Sequence, residues 1–297
     1  MKPVEFDYVR AGSLREAVDA LASRPGEAKV IAGGQSLVPL MNFRLVTPSL
    51  LVDINRIPGL DLIEQVDSEL RIGATTRQAD VQADPLVRAG WPLLSEALAH
   101  VGHPQLRNRG TVVGSLVHHD PAAELPAVAV ALDALVTLTG PAGERTVAAD
   151  DFFRTYFTTD VAEDEVATSV RFPAPPPGAG SAFVEIARRP GDFAMVGVAA
   201  LVQVRDQSIV GARIAVSGVG ERPVRCRHAE AWLTGRRPDE DTCAEAGRVA
   251  ATEPGIAPRD DVHATAAYRR RVLPVLVRRA LLTAAHRAAA STLSGSR

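Results

Sequence analysis

Val30–Leu37 reads VIAGGQSL, a short β-branched run that ends in two consecutive glycines. Glycine takes positive φ readily and lets the main chain approach a ligand with no Cβ in the way. Successive N–H groups of such a turn can converge on an anion, and Ser36 adds a hydroxyl donor. A pyrophosphate, whose oxygens need several donors at close range, suits that arrangement; the plainer reading is a tight turn with no ligand. The string is neither GxGxxG nor GxxxxGKS/T, so the Rossmann and P-loop readings lose their support.

Upstream, Ser13–Leu21 (SLREAVDAL) places Leu14, Ala17, Val18 and Leu21 at helical spacing behind a Ser13/Glu16 capping box. Lys29–Ile31, Leu50–Ile54 and Leu70–Thr76 are short apolar or β-rich runs that predict strands, and Trp91–His100 predicts a further helix. Ala134–Thr139 and Arg145–Ala148, separated by PAGE, predict a hairpin. The clearest boundary is Pro173–Gly180, PAPPPGAG, whose four prolines and two glycines suit neither a helix nor a central strand. Beyond it, Ala182–Ile186, Ala194–Val204 and Ile209–Val216 suit an antiparallel sheet. Cys226–Leu233, Glu240–Ala251 and Ala264–Ala290 then have helical composition, with Pro274 expected to kink or interrupt the last. No internal repeat is visible, and the closing SGSR is expected to be disordered.

With 297 residues the chain is long enough for two or three packed units. A formal net charge of -2 offers no basic field for nucleic acid, so small molecules or protein partners are the expected ligands. Cys226 and Cys243 are the only cysteines, which rules out a four-thiolate iron–sulfur or zinc site within the chain and fits a reducing cytoplasm. Glu5 and Asp7 stand where a signal peptide would be apolar, and no apolar run approaches a membrane span, so a cytoplasmic protein is expected.

The longer string AGGQSLVPLMNFRL, followed by LLVDINRIPGL, resembles the flavin subunit of the molybdenum hydroxylases, the family of xanthine dehydrogenase and aerobic carbon monoxide dehydrogenase. The resemblance continues through LRIGATT, QLRNRGTVVGSLVHHDPAAELPAVAVALDA, GERTVAADDFF, DEVATSVRFP and ARRPGDFAMVGVAA, so it covers nearly the whole chain. It implies an α+β architecture: a two-subdomain FAD-binding fold of the vanillyl-alcohol oxidase (PCMH) type over 1–175, divided near 55, and a C-terminal sheet-and-helix domain over 181–290. By the same resemblance Ala32, Gly33, Gly34, Gln35 and Ser36 hold the FAD pyrophosphate, with Val30, Ile31 and Leu37 completing the loop.

Thr111, Val113, Gly114 and Ser115 belong to the implied second loop, where TVVGS stands in place of the family's TIGGN. A β-branched residue at Val113 would be costly if that position needed positive φ. Glu124 takes the place of a cofactor-binding aspartate, and Val101 and Ala167 are implied backbone or apolar contacts. Arg188 and Asp192, in ARRPGDFA, belong to the segment that brings the C-terminal domain against the flavin; an Arg/Asp pair on a solvated hairpin is the other reading. Val184 replaces a lysine of xanthine dehydrogenase relatives, so that contact does not transfer.

His118, His119 and Asp120 have metal-ligating chemistry, but adjacent residues of a strand face opposite sides, and a turn before Pro121 is the expected role. Arg107 and Arg109 either offset phosphate charge or pair on the surface. Arg269, Arg270, Arg271, Arg278 and Arg279 make the last helix basic, on a face expected to meet solvent or another subunit. No catalytic acid, base or metal ligand is expected. The resemblance implies noncovalent FAD here, with molybdopterin on a large partner and 2Fe-2S clusters on a small one, and it allows a dimer of heterotrimers. Electrons would pass from the clusters through FAD to an external acceptor. The alternative is a free-standing FAD-dependent oxidoreductase acting on its own small molecule.

Overall fold

In a computed structural model that describes residues 1–294, three larger sheets and one two-stranded sheet accompany two apolar cores. The first strands, β1 (Asp7–Arg10), β2 (Ala28–Ile31) and β3 (Leu50–Asp53), form a parallel sheet in the order β1-β3-β2. The helix Leu14–Ala22 starts where the capping box predicts: Ser13 Oγ accepts the Glu16 N–H at 3.2 Å, while the Glu16 carboxylate accepts from Gly12 at 2.8 Å. Its Ala17, Val18 and Leu21 are buried in the first core. Ile31 of β2 lies opposite Asp53 of β3, so the chain leaves both strands at one edge of the sheet. Ligand-binding loops of parallel sheets lie at that carboxyl edge.

The second sheet is antiparallel, built from β4 (Ile63–Val66), β5 (Glu69–Gly73), β6 (Leu135–Gly140), β7 (Gly143–Ala148) and, after the short hairpin β8 (Phe153–Thr155) and β9 (Thr158–Thr159), β10 (Val166–Pro173). Its order is β4-β5-β10-β6-β7. The β6–β7 hairpin turns at Pro141 and Ala142, inside the PAGE segment. After the proline-rich connection come β11 (Gly180–Ile186), β12 (Val196–Arg205), β13 (Ser208–Ser217) and β14 (Val224–Arg225), paired in sequence order as an antiparallel sheet.

That third sheet is covered on both faces, which is why β12 reads as the near-continuous apolar run VGVAALV. Val196, Val198, Ala200 and Val202 face the second core, under Leu273, Leu276, Val277, Ala280, Leu281 and Ala284 of the helix Ala266–Ser294. Ala199 and Leu201 join the first core instead, together with the helix Glu124–Ala131, which is buried on every side. Polar contacts cross the same seam: the Phe183 N–H donates to Glu96 at 3.0 Å, and Gly218 N–H to the Pro121 carbonyl at 2.8 Å.

Two sequence expectations are corrected. Pro274, expected to kink or interrupt the last helix, does not interrupt it: the helix runs from Ala266 to Ser294 with the proline inside. Burying Leu273, Leu276 and Val277 on either side contributes about 1.5–3 kcal/mol each, comparable with the roughly 3 kcal/mol that an interior proline costs. His118 and His119 lie at a helix end, not on a strand: His118 closes the helix Val112–His118 and His119 caps it in the left-handed region at φ 46°. Gly295–Arg297, most of the expected disordered SGSR, falls outside the described residues. Among the described residues no helix is long and apolar enough to cross a membrane.

Candidate functional site

The first glycine turn leaves β2 at the carboxyl edge of the parallel sheet, after Val30 and Ile31. Gly34 sits at φ 72°, where a side chain would be strained, and the Val38 N–H closes back on its carbonyl at 3.1 Å. Hydrogen bonds among the described residues leave the N–H groups of Gly33, Gly34, Gln35 and Ser36 without an acceptor. Ser36 stands at the start of the helix Leu37–Asn42, and its hydroxyl caps nothing there. The turn thus presents main-chain donors and one hydroxyl on accessible backbone.

The second segment is not a loop. Thr111 is the N-cap of the helix Val112–His118, with its hydroxyl accepting the Gly114 N–H at 3.0 Å, and Val113 occupies the first helical turn. Val113 has no positive φ and is 1% exposed, so its side chain belongs to the core. The strain expected of valine in place of glycine does not arise, because helical φ suits a β-branched residue. Gly114 does need to be small: a Cβ there would lie 2.5 Å from the Thr111 hydroxyl. Ser115 follows on the same turn, half-buried.

The two segments meet. A Cβ on Gly33 would lie 2.3 Å from the Arg109 carbonyl oxygen and 2.9 Å from the Gly110 Cα, so only glycine permits this contact. Two residues that the sequence reading passed over tie the segments together. Asn55, just past β3, donates through Nδ2 to the Ala32 carbonyl at 2.9 Å, and its Oδ1 accepts from Arg77 at 2.7 Å. Arg77 also donates to the Arg109 carbonyl at 2.9 Å. Asp53 accepts from Asn55 at 2.7 Å and from the Tyr8 hydroxyl; burial pushes its carboxyl up, but these hydrogen bonds outweigh it and hold it below the usual range. Burial, then the nearby Arg109 charge, lower the Arg77 guanidinium from its ordinary value. The parallel pairing of β2 and β3 is the signal that could have found Asn55, since it sets the two strand ends side by side.

A third group lies where the C-terminal sheet meets the first domain. His100, the residue before Val101, faces Glu185 of β11 at 3.2 Å, which raises the imidazole pKa. Glu124 is nearly fully buried, and burial pushes its carboxyl up to about 8, with Glu185 adding to the effect and His100 opposing it. Arg188 and Arg189 both reach Asp192, at 3.6 and 3.1 Å, across the turn that follows β11. That turn rests on the Val101–His103 segment, because a Cβ on Gly191 would lie 2.6 Å from the His103 ring. Val101, Glu124 and the Arg188–Asp192 turn are therefore gathered along one interdomain seam. Ala167 lies at a register shift of β10, buried with the first core.

The remaining candidates have structural roles. Arg107 braces the carbonyls of Val101 and Gly102 at 2.8 and 3.1 Å, while Arg109 is exposed. His119 is buried with Nδ1 3.1 Å from the Thr158 carbonyl. Among the described residues no three His, Cys, Asp or Glu side chains are placed to hold a metal ion.

Residues 4–175 match the model of the FAD-binding domain in molybdopterin dehydrogenase, and 181–284 match the carbon monoxide dehydrogenase flavoprotein C-terminal domain. The chain is 45% identical over 289 residues, 97% of each chain, to the 6-hydroxypseudooxynicotine dehydrogenase complex subunit alpha of Paenarthrobacter nicotinovorans. It superposes on a chain of carbon monoxide dehydrogenase from Hydrogenophaga pseudoflava with TM-score 0.94 and 37% identity, covering 97% of this chain and 99% of that one. Quinoline 2-oxidoreductase from Pseudomonas putida 86 gives TM-score 0.93 and 39% identity at the same coverage. With family models spanning both domains and relatives matched over nearly their whole length, the chain belongs to the FAD-binding medium subunits of the molybdenum hydroxylases.

Proposed function

We propose that this chain binds FAD noncovalently along the interdomain seam and carries electrons from iron–sulfur clusters on a small partner subunit to an external acceptor. The observation that carries this reading is the meeting of Gly33 with Arg109 and Gly110, which sets two donor-bearing segments against each other. Four unpaired N–H groups and the Ser36 hydroxyl suit a diphosphate, which offers acceptors only. In this reading Ala32–Ser36 cradle one phosphate side, flanked by Val30, Ile31 and Leu37. The Thr111–Ser115 helix start supplies the other through the Val113 backbone, Gly114 and the Ser115 hydroxyl. Val101, Glu124 and Ala167 line the way toward the C-terminal domain, and Arg188 with Asp192 closes it.

FAD, when bound, supplies the exchange between single electrons and electron pairs; the protein supplies position and electrostatics. The Glu124 carboxyl, neutral at pH 7 with its pKa near 8, can donate a hydrogen bond where an ionised carboxylate could not. The Arg188 charge near the reducible ring would favour an anionic reduced form. We place molybdopterin on a large partner, the assembly as a dimer of heterotrimers, and the complex in the cytoplasm. The medium-chain standing of the relatives supports the presence of larger and smaller partners.

Purification from the native host with metal analysis tests the whole reading. The expected result is a yellow protein with two larger-and-smaller partners, molybdenum and iron, from which denaturation releases all flavin. A yellow monomer oxidising a small molecule by itself would overturn the subunit reading, and flavin retained after denaturation would overturn noncovalent binding.

A further inference from the structure

We propose that Asn55 and Arg77 form a strut that aims the first anion-binding segment and fixes its spacing from the second, making them positioning residues for the diphosphate although neither lies in a glycine turn. The inference rests on the FAD reading above and adds to it the means by which the cradle is held open.

An anion cradle works only if its N–H groups point inward and its carbonyls outward. A trans peptide is planar, so its C=O and the following N–H point in opposite directions. Asn55 Nδ2 holds the Ala32 carbonyl at 2.9 Å. The N–H in the same peptide plane is that of Gly33, which must therefore point away from Asn55 and has no acceptor among the described residues. Flipping this peptide would lose the Asn55 bond and turn a carbonyl toward the anion, so the side chain selects the binding-competent orientation.

Arg77 ties this arrangement to the residues just ahead of the second segment, where the Gly110 N–H is already held by the Leu106 carbonyl at 2.7 Å. One guanidinium nitrogen bonds Asn55 Oδ1 at 2.7 Å and another bonds the Arg109 carbonyl at 2.9 Å. The Arg109 carbonyl is also the atom against which Gly33 packs. A single chain of hydrogen bonds, Ala32 to Asn55 to Arg77 to Arg109, thus fixes the spacing of both segments. It is anchored behind by Asp53, which accepts from Asn55 at 2.7 Å and from Tyr8.

The charge balance favours an anion as well. Burial first, and then repulsion from the nearby Arg109, lower the half-buried Arg77 guanidinium, with Asp80 and Asp53 opposing. Arg109 has no ion-pair partner among the described residues. An anion held between the segments relieves two neighbouring like charges. Arginine suits position 77 because its planar fork sets two nitrogens on two acceptors in a fixed geometry; a lysine ammonium keeps the charge but not that fixed pairing.

The test uses the full-length chain stripped of flavin, titrated with FAD and, separately, with riboflavin, which lacks the phosphates. Arg77→Met and Asn55→Ala are compared with the parent, and circular dichroism and thermal melts establish that each variant folds. The strut predicts that both variants weaken FAD by about 10-fold or more, the loss expected for directional hydrogen bonds around a charge, with riboflavin affinity unchanged. Arg77→Lys restores only part of the FAD affinity. Equal losses for FAD and riboflavin would reveal a general structural role and overturn the strut, as would FAD affinity within about threefold of the parent in a folded variant. If Arg77→Met does not fold, Asn55→Ala decides alone. Failure of the parent chain to bind FAD would instead sink the functional reading itself.

Discussion

The two segments proposed to meet the diphosphate are built by different backbone routes. Ala32–Ser36 is an irregular turn with Gly34 at φ 72° and Gly33 pressed against the Arg109 carbonyl. Thr111–Ser115 is the capped start of a regular helix, with Thr111 occupying one N–H and Val113 buried below. The first depends on glycine at two positions for two reasons, conformation and approach. The second needs small size only at Gly114 and accepts valine one residue earlier because helical φ costs valine little. Substitutions in a glycine-rich segment therefore have to be judged by local backbone: the same Gly-to-Val change that would close the first segment is absorbed by the second.

The largest expected effect comes from breaking the contact between them. Gly33→Ala places a methyl where the Arg109 carbonyl now lies, 2.3 Å from the new Cβ, so the segments must part by close to an ångström. FAD affinity is expected to fall by about 100-fold or more, the scale at which such misplacement acts in binding and catalytic sites. Calorimetric titration of the flavin-free chain measures it, and a loss under about threefold would show that the two segments bind independently.

Much of the first segment was legible because its evidence is local: a β-branched run, two glycines and a serine within eight residues of sequence. The second was picked out only by resemblance, and its form was not legible, since TVVGS is too short to display helical periodicity and its cap is recognisable only once the helix is seen. Asn55 and Arg77 were invisible for another reason. Their bonds reach 23 and 32 residues along the chain, to Ala32 and Arg109, and no spacing rule connects such positions. The same holds for His100 and Glu185, which lie on opposite sides of the proline-rich boundary. Pro274 shows the opposite failure: a strong local signal overruled by packing on both sides.

The seam residues add a pH dependence that separates the helix-borne side of the site from the turn. The Glu124 carboxyl, raised to about 8 by burial, keeps its proton in the folded chain at pH values where the unfolded chain has lost it. Its favourable contribution is complete below the unfolded pKa and declines as pH rises toward 8. His100, raised by Glu185, acts in the same direction, its contribution being lost as pH rises through the raised value. The flavin-free chain should accordingly lose stability as pH rises from about 5 to about 8, by a few kcal/mol, in denaturant titrations. Glu124→Gln should flatten that decline, while Gly33→Ala leaves its slope unchanged. A parallel decline in Glu124→Gln would mean that the carboxyl does not titrate in this range.

A smaller effect isolates the cap. Thr111→Ala removes the acceptor for the Gly114 N–H and should cost about 1 kcal/mol of stability. FAD affinity should fall only severalfold, because the helix itself survives through its buried Val112, Val113 and Leu116. Loss on the scale of Gly33→Ala would make the second segment as fragile as the first and erase the distinction.

The sharpest discrimination comes from the smallest expected change in affinity. Val113→Gly restores the residue the family pattern favours, and if valine impaired the site, FAD should bind more tightly. The structure predicts otherwise, since the Val113 side chain points into the core and its φ is not in the positive region. The substitution should cost about 2–4 kcal/mol of stability, from the cavity and the weaker helix propensity of glycine. Affinity for FAD, measured on the folded fraction, should stay within about threefold of the parent. Stability and affinity then respond oppositely in the two segments: Gly33→Ala acts through the ligand contact and Val113→Gly through the core beneath it. A clear gain in FAD affinity would instead mean that the second segment wants the open turn geometry of the first.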